Sequence, residues 1–167
     1  MRIAVDAMGG DHAPSAIIDG CLEALKEYKD LEIVLVGRLE VIKPYLATMP
    51  PNLHLVHAPE VIEMEEEPVK AVRNKKNASL VEVTRMVKEK EVDACISAGN
   101  TGAYMTAGLL ITGRIKGIER PALVAIFPTK KGRPSLILDV GANVDPKPEH
   151  LVQYAHMGSI YVEQVFG

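Results

Sequence analysis

Residues 95–103, Cys-Ile-Ser-Ala-Gly-Asn-Thr-Gly-Ala, combine residue types and spacing that suit anion chemistry. The apolar run Val92–Ile96 leads into small and polar residues and then into a segment that favours a helix. Gly99 and Gly102 allow a tight turn and close backbone approach, and Asn100 or Thr101 can cap the helix. The unpaired N–H groups of a first helical turn, aided by the helix dipole, favour phosphate or a developing oxyanion. Two more strand-to-glycine junctions occur. One, Ile3–Pro14, carries Asp6, Gly9, Gly10, Asp11 and His12; the other, Ile137–Asp145, carries Asp139, Gly141 and Asn143. In an open α/β sheet, loops after the carboxyl ends of strands line one crevice, so three junctions predict one site.

Other reactive side chains carry less. Asp6 and Asp139 sit at strand ends, where turn hydrogen bonding competes with catalysis. His12 suits proton transfer, a helix cap or plain solvation. Cys21 and Cys95 have no basic partner in sequence, which predicts burial as small apolar residues and no covalent thiol chemistry. The run Glu63–Glu67 lacks metal-ligand spacing and reads as a solvated loop. His54 and His57 fall on opposite strand faces, and His150 and His156 do not share a helical face, so no metal site is predicted.

These residues need a scaffold, and the apolar periodicity supplies one. A strand Arg2–Asp6 precedes an amphipathic helix from about Pro14 to Lys29, with Asp11 and Pro14 as its start signal. A strand Glu32–Val36, a short helix Leu39–Leu46, a strand Leu53–Val56 and a helix Ser79–Lys90 continue a βαβα alternation. The continuous apolar stretch Ile33–Val36 fits a parallel strand covered on both faces. Later, Ala122–Phe127 and Ser135–Leu138 are separated by too few residues for a helix, which predicts antiparallel neighbours within a mixed sheet. A last helix, Pro148 to about Val165, shows a stripe of Leu151, Val152, Ala155, Ile160 and Val162.

At 167 residues with net charge −3, the chain suits one soluble α/β domain and offers no broad attraction to nucleic acid. Unpaired cysteines, the lack of a membrane-length apolar stretch and an N-terminus that begins as a strand predict a cytoplasmic protein.

Val5–Asp11, Ser97–Ala103 and Asp139–Asn143 together resemble the signature segments of the PlsX phosphate acyltransferases, acyl-carrier-protein-dependent enzymes of bacterial phospholipid synthesis. Similarity also takes in Arg120-Pro121-Ala122 and Met64–Pro68. The resemblance implies a three-layer αβα sandwich with a mixed, mostly parallel sheet, related to isocitrate and isopropylmalate dehydrogenases. It further implies a homodimer, and a chain that is roughly the first half of a longer enzyme. The implied reaction moves a long-chain acyl group from acyl carrier protein to inorganic phosphate, with no cofactor or metal. Peripheral association of the full-length enzyme with the inner membrane face is also open. In that reaction Ser97, Gly99, Thr101 and Gly102 would bind phosphate, with Gly9, Gly10 and Gly141 shaping the walls. Asn100, His12, Asp6, Asp139 and Asn143 would be the candidates for catalytic roles, His12 as the acid for the leaving thiolate. The clusters Arg73-Lys75-Lys76 and Lys130-Lys131-Arg133 are either docking patches for the acidic carrier or solvated faces.

Three other readings compete. A nicotinamide-dependent dehydrogenase lacks support, because Met8–His12 has no Gly-x-Gly-x-x-Gly spacing and Gly37-Arg38 stands where a ribose-binding acid is expected. A phosphotransacetylase using coenzyme A thioesters, or a non-catalytic phosphate-binding fragment, remains open.

Overall fold

The computed structural model describes every residue except 131, 142 and 144. Two compact units follow one another, Met1–Gly113 and Arg114–Gly167. In the first, the elements are β1 (Arg2–Asp6), α1 (Ser15–Glu27), β2 (Glu32–Gly37), α2 (Leu39–Ile42), β3 (Leu53–His57), α3 (Pro68–Asn74), α4 (Ser79–Lys88), β4 (Ala94–Ile96) and α5 (Thr101–Ala107). A 3-10 turn, Lys43–Tyr45, extends α2, and a π-helical turn, Gly108–Thr112, extends α5.

All four strands of this unit are parallel, in the order β3-β2-β1-β4. Ile18, Cys21 and Leu25 of α1 pack on one sheet face with Val5, Ile33, Leu35 and Leu53. On the other face Ala4, Val34 and Val36 meet Val83 and Met86 of α4. Alternate residues of β1 and β2 therefore serve opposite cores, and this is why β2 is apolar without interruption. Truncating a fully buried side chain such as Ile18 to Ala would cost about 2–5 kcal/mol.

Glu63–Glu67 is a loop, as the sequence suggested, but helix α3 follows it directly where the sequence reading assigned no element. Pro68 occupies the first turn, where its missing N–H costs nothing, and the Glu67 carboxylate accepts from Val69 N (3.0 Å) and Lys70 N (2.9 Å). Ala71 and Val72 of α3, Leu80 and Val81 of α4, and Ala103 and Ala107 of α5 then form a third core cluster. Helix α1 begins at Ser15 with no side-chain cap, so Asp11 does not start it.

The second unit holds β5 (Val124–Phe127), β6 (Ser135–Leu138) and α6 (Pro148–Phe166). β5 and β6 are antiparallel, with Val124 opposite Leu138 and Phe127 opposite Ser135. The expected single mixed sheet is not what the described strands form: β5 and β6 make a two-stranded sheet of their own. Their short connection lets each complete one edge on the other without a crossover. On α6 the apolar stripe is exposed, Leu151 and Val152 at 55% and 58%, while His150, Tyr154 and Gly158 are buried. Gly158 admits the side chain of Leu138, and the two polar residues are hydrogen-bonded, so the i, i+4, i+8 face is the inner one. No helix among the described residues is long and apolar enough to cross a membrane.

Candidate active site

β1 and β4 are neighbours, so their carboxyl-terminal turns meet. Asp6 is buried on the α4 side of β1, and its Oδ2 accepts from Ser97 Oγ at 2.7 Å while Oδ1 accepts from Met8 N at 3.0 Å. Ser97 Oγ in turn accepts from Gly99 N at 3.2 Å. One chain of hydrogen bonds thus runs from the Gly99 amide through the Ser97 hydroxyl to a carboxylate 91 residues away in sequence. Glycine is demanded here by space. A Cβ on Gly9 would lie 2.6 Å from Asp6 Oδ2 and 2.8 Å from Gly99 N, and one on Gly99 would lie 3.2 Å from Gly9 Cα. Gly10 adds a backbone requirement, with φ +113° against Ala98.

At the start of α5 the predicted residues separate into fasteners and open groups. Asn100 Oδ1 caps the helix through Ala103 N (2.9 Å), and its Nδ2 donates to the carbonyls of Met64 (3.0 Å), Glu66 (3.1 Å) and Glu63 (3.3 Å). The carboxamide is therefore occupied by the chain itself and not presented to a ligand. Gly102 serves packing, since a Cβ there would lie 2.7 Å from Pro68 Cγ of α3. Thr101 is exposed, and the N–H groups of Thr101 and Gly102 have no preceding helical carbonyl to bond.

The acidic run is the other half of this clasp. Glu66 Oε1 accepts from Lys75 Nζ (2.5 Å) and Glu63 N (2.8 Å), and Lys75 Nζ also donates to Val61 O (2.7 Å). Its hydrogen bond to Lys75, then that to Glu63 N, holds the Glu66 carboxyl below the usual glutamate range. Lys75 faces this loop, so only Arg73 and Lys76 of the first basic cluster are exposed. Sequence reasoning missed Glu66, Glu67 and Lys75; the Glu-Pro step at 67–68 was the available signal for the helix start. It also missed Tyr104, whose hydroxyl donates to Cys95 O (2.7 Å) and ties α5 back to β4.

Burial pushes the Cys21 thiol up to about 11 and raises that of Cys95, so neither supplies a thiolate near neutrality. His12 is exposed; its carbonyl, not its ring, holds the start of α1 by accepting from Ala16 N at 3.1 Å. Lys130 and Arg133 are exposed, and Lys131 lies outside the described residues.

The third junction belongs to the second unit and forms its own network. Asp139 has a left-handed backbone, φ +64°, which an aspartate tolerates better than most residues. Its Oδ1 accepts from Asn143 N (3.1 Å) and Nδ2 (2.9 Å), and Gly141 N donates to the Asp139 carbonyl (2.9 Å). Asn143 Nδ2 also reaches Pro121 O (3.1 Å) and the hydroxyl of Tyr154 (3.0 Å). Burial, and then the negative charge of Asp139, raise the pKa of Tyr154. Among the described residues no group of three or more His, Cys, Asp or Glu is placed to hold a metal ion.

A family model described as fatty acid synthesis protein matches residues 1–167. This chain belongs to that family, the PlsX family. Among its curated relatives is a protein named phosphate acyltransferase from Bacillus subtilis (strain 168), 60% identical over 167 residues, covering all of this chain and 50% of the relative. A protein of the same name from Bacillus pumilus (strain SAFR-032) is 62% identical over 166 residues, covering 99% of this chain and 50% of the relative. A third, from Brevibacillus brevis, is 60% identical over 168 residues. This PlsX-family chain spans about half the length of the curated relatives it matches.

Proposed function

We propose that the protein built on this chain transfers a long-chain fatty acyl group from the thioester of acyl carrier protein to inorganic phosphate. The product is an acyl phosphate for phospholipid synthesis. The observation that supports this most is the β1–β4 junction, where Gly9 and Gly99 bring two strand ends together around the Asp6–Ser97 pair. Hydrogen phosphate is already an anionic nucleophile, so the protein must chiefly bind it, aim it and stabilise the oxyanion. In this reading the unpaired N–H groups of Thr101 and Gly102 and the Thr101 hydroxyl face the anion, while Ser97, whose one proton goes to Asp6, holds the turn behind them. Asp6 positions Ser97, and Asn100 positions the turn.

A phosphate oxygen bonds to the carbonyl carbon, the carbonyl electrons collect on oxygen, and their return breaks the carbon–sulfur bond. The proton of hydrogen phosphate ends on the departing thiol, a transfer for which the exposed His12 ring is available. The reading extends to one α/β domain spanning both units, an αβα sandwich of the isocitrate dehydrogenase type, a homodimer, and a cytoplasmic enzyme peripheral to the inner membrane face.

The test is phosphate-dependent formation of acyl phosphate, trapped with hydroxylamine, by the protein at its native length. Acyl carrier protein and coenzyme A thioesters compete as donors. Preference for the carrier-protein thioester is expected. Preference for coenzyme A would replace the reading with a phosphotransacetylase-like one, and no acyl phosphate from either donor would leave a phosphate-binding role only.

A further inference from the structure

We infer that Arg38 grips a phosphoryl oxyanion at the carboxyl end of the parallel sheet; the choice of ligand rests on the acyl-to-phosphate reading above. Arg38 directly follows β2, whose strand lies between β1 and β3. Its Nε is buried without a hydrogen-bond partner, and no ion pair involves its guanidinium among the described residues. Burying such a donor unpaired is costly, and a long arginine side chain can ordinarily avoid that cost by reaching water. Arg2 shares the unpaired Nε, yet Glu32 Oε2 lies 3.7 Å from it, so its counter-charge comes from the protein. Arg38 has none.

The backbone around Arg38 is fixed on both sides. Its carbonyl accepts from Val41 N and Ile42 N, both at 3.0 Å. A Cβ on the preceding Gly37 would lie 2.8 Å from Met8 Cγ, so the β1 turn that carries Gly9 and Gly10 presses on this strand end. On the far side, His57 Nδ1 accepts from Leu39 N (3.4 Å), which leaves the proton of a neutral ring on Nε2. A rigid backbone with an unspent guanidinium is the arrangement that matches the oxygens of a phosphoryl group, because the planar fork can donate two parallel hydrogen bonds. With strands about 4.8 Å apart, Arg38 stands one spacing from the β1 turn and two from the β4 turn. That chemistry has two sources in the proposed reaction: free phosphate, or the phosphodiester of the pantetheine arm that carries the acyl group.

The experiment compares wild type, Arg38→Gln and Arg38→Lys at native length. Binding of inorganic phosphate is followed by calorimetry. KM is measured for phosphate, for a phosphopantetheine thioester and for the corresponding N-acetylcysteamine thioester, which lacks phosphate. Loss of the fork should weaken the relevant ligand roughly 10- to 100-fold in Arg38→Gln, less in Arg38→Lys, with unchanged thermal midpoints. Weakening for inorganic phosphate assigns Arg38 to the nucleophile; weakening confined to the phosphate-bearing thioester assigns it to the donor arm. Equal affinities in all three proteins for every phosphate-bearing ligand overturn the inference, as does a wild type that binds none. A protein that forms no acyl phosphate yet binds phosphate through Arg38 would remove the function proposed above and leave this inference standing.

Discussion

Asp6 and Asp139 both end a strand and enter a glycine-containing turn, but they are built into the molecule differently. Asp6 is almost wholly buried and receives Ser97 from a strand 91 residues away. Asp139 is half-buried, adopts a left-handed backbone, and receives Asn143 from four residues away. The first joins two elements, so altering it disturbs the geometry between β1 and β4; the second staples its own turn. A carboxylate at a strand end becomes part of a site when its partners come from another element, and the residue type alone does not reveal which case holds.

The sharpest way to break this contrast lies at the clasp that supports the first junction. Asn100→Ala removes a helix cap and strands the carbonyls of Glu63, Met64 and Glu66, so a loss of about 3 kcal/mol is expected in a urea unfolding midpoint. Gly9→Ala should follow at about 2 kcal/mol, because the added Cβ meets Gly99 backbone that cannot swing aside, and activity should fall with it. Asp139→Asn should cost about 1 kcal/mol or less by the same measurement, since asparagine accepts the left-handed backbone and keeps an acceptor for Asn143. A larger loss there than at Gly9 would reverse the comparison.

The smallest effect is a pH dependence. Glu66 titrates below its ordinary value of 4.5 because Lys75 holds it charged, so its contribution is complete above that value and is lost as pH falls through the lower folded value. Glu66→Gln should flatten that part of the acid unfolding curve, and an unchanged curve would remove Glu66 from the clasp.

Local signals made most of the scaffold legible. β1 and β6 fall where alternation of apolar segments put them, and the β5–β6 pairing follows from a connection too short for a helix. The clasp was hidden because its hydrogen bonds join Asn100 to carbonyls 34–37 residues earlier, and a carbonyl leaves no mark in sequence. Gly102 reads as a phosphate-loop glycine until Pro68 is seen against it. The inner face of α6 was not legible because its buried residues are His150, Tyr154 and Gly158, polar or small, and apolar periodicity marks the opposite side.

The central claim is that the Asp6–Ser97–Gly99 junction holds the anion-binding turn in place for turnover, and Ser97→Ala at native length tests it most directly. The substitution removes one hydroxyl from a half-buried position. Phosphate-dependent acyl phosphate formation per folded molecule should drop about tenfold or more, alongside a stability loss of about 1–3 kcal/mol from the partners left unpaired at Asp6 and Gly99. Wild-type turnover in that variant would contradict the claim and leave the junction a structural joint.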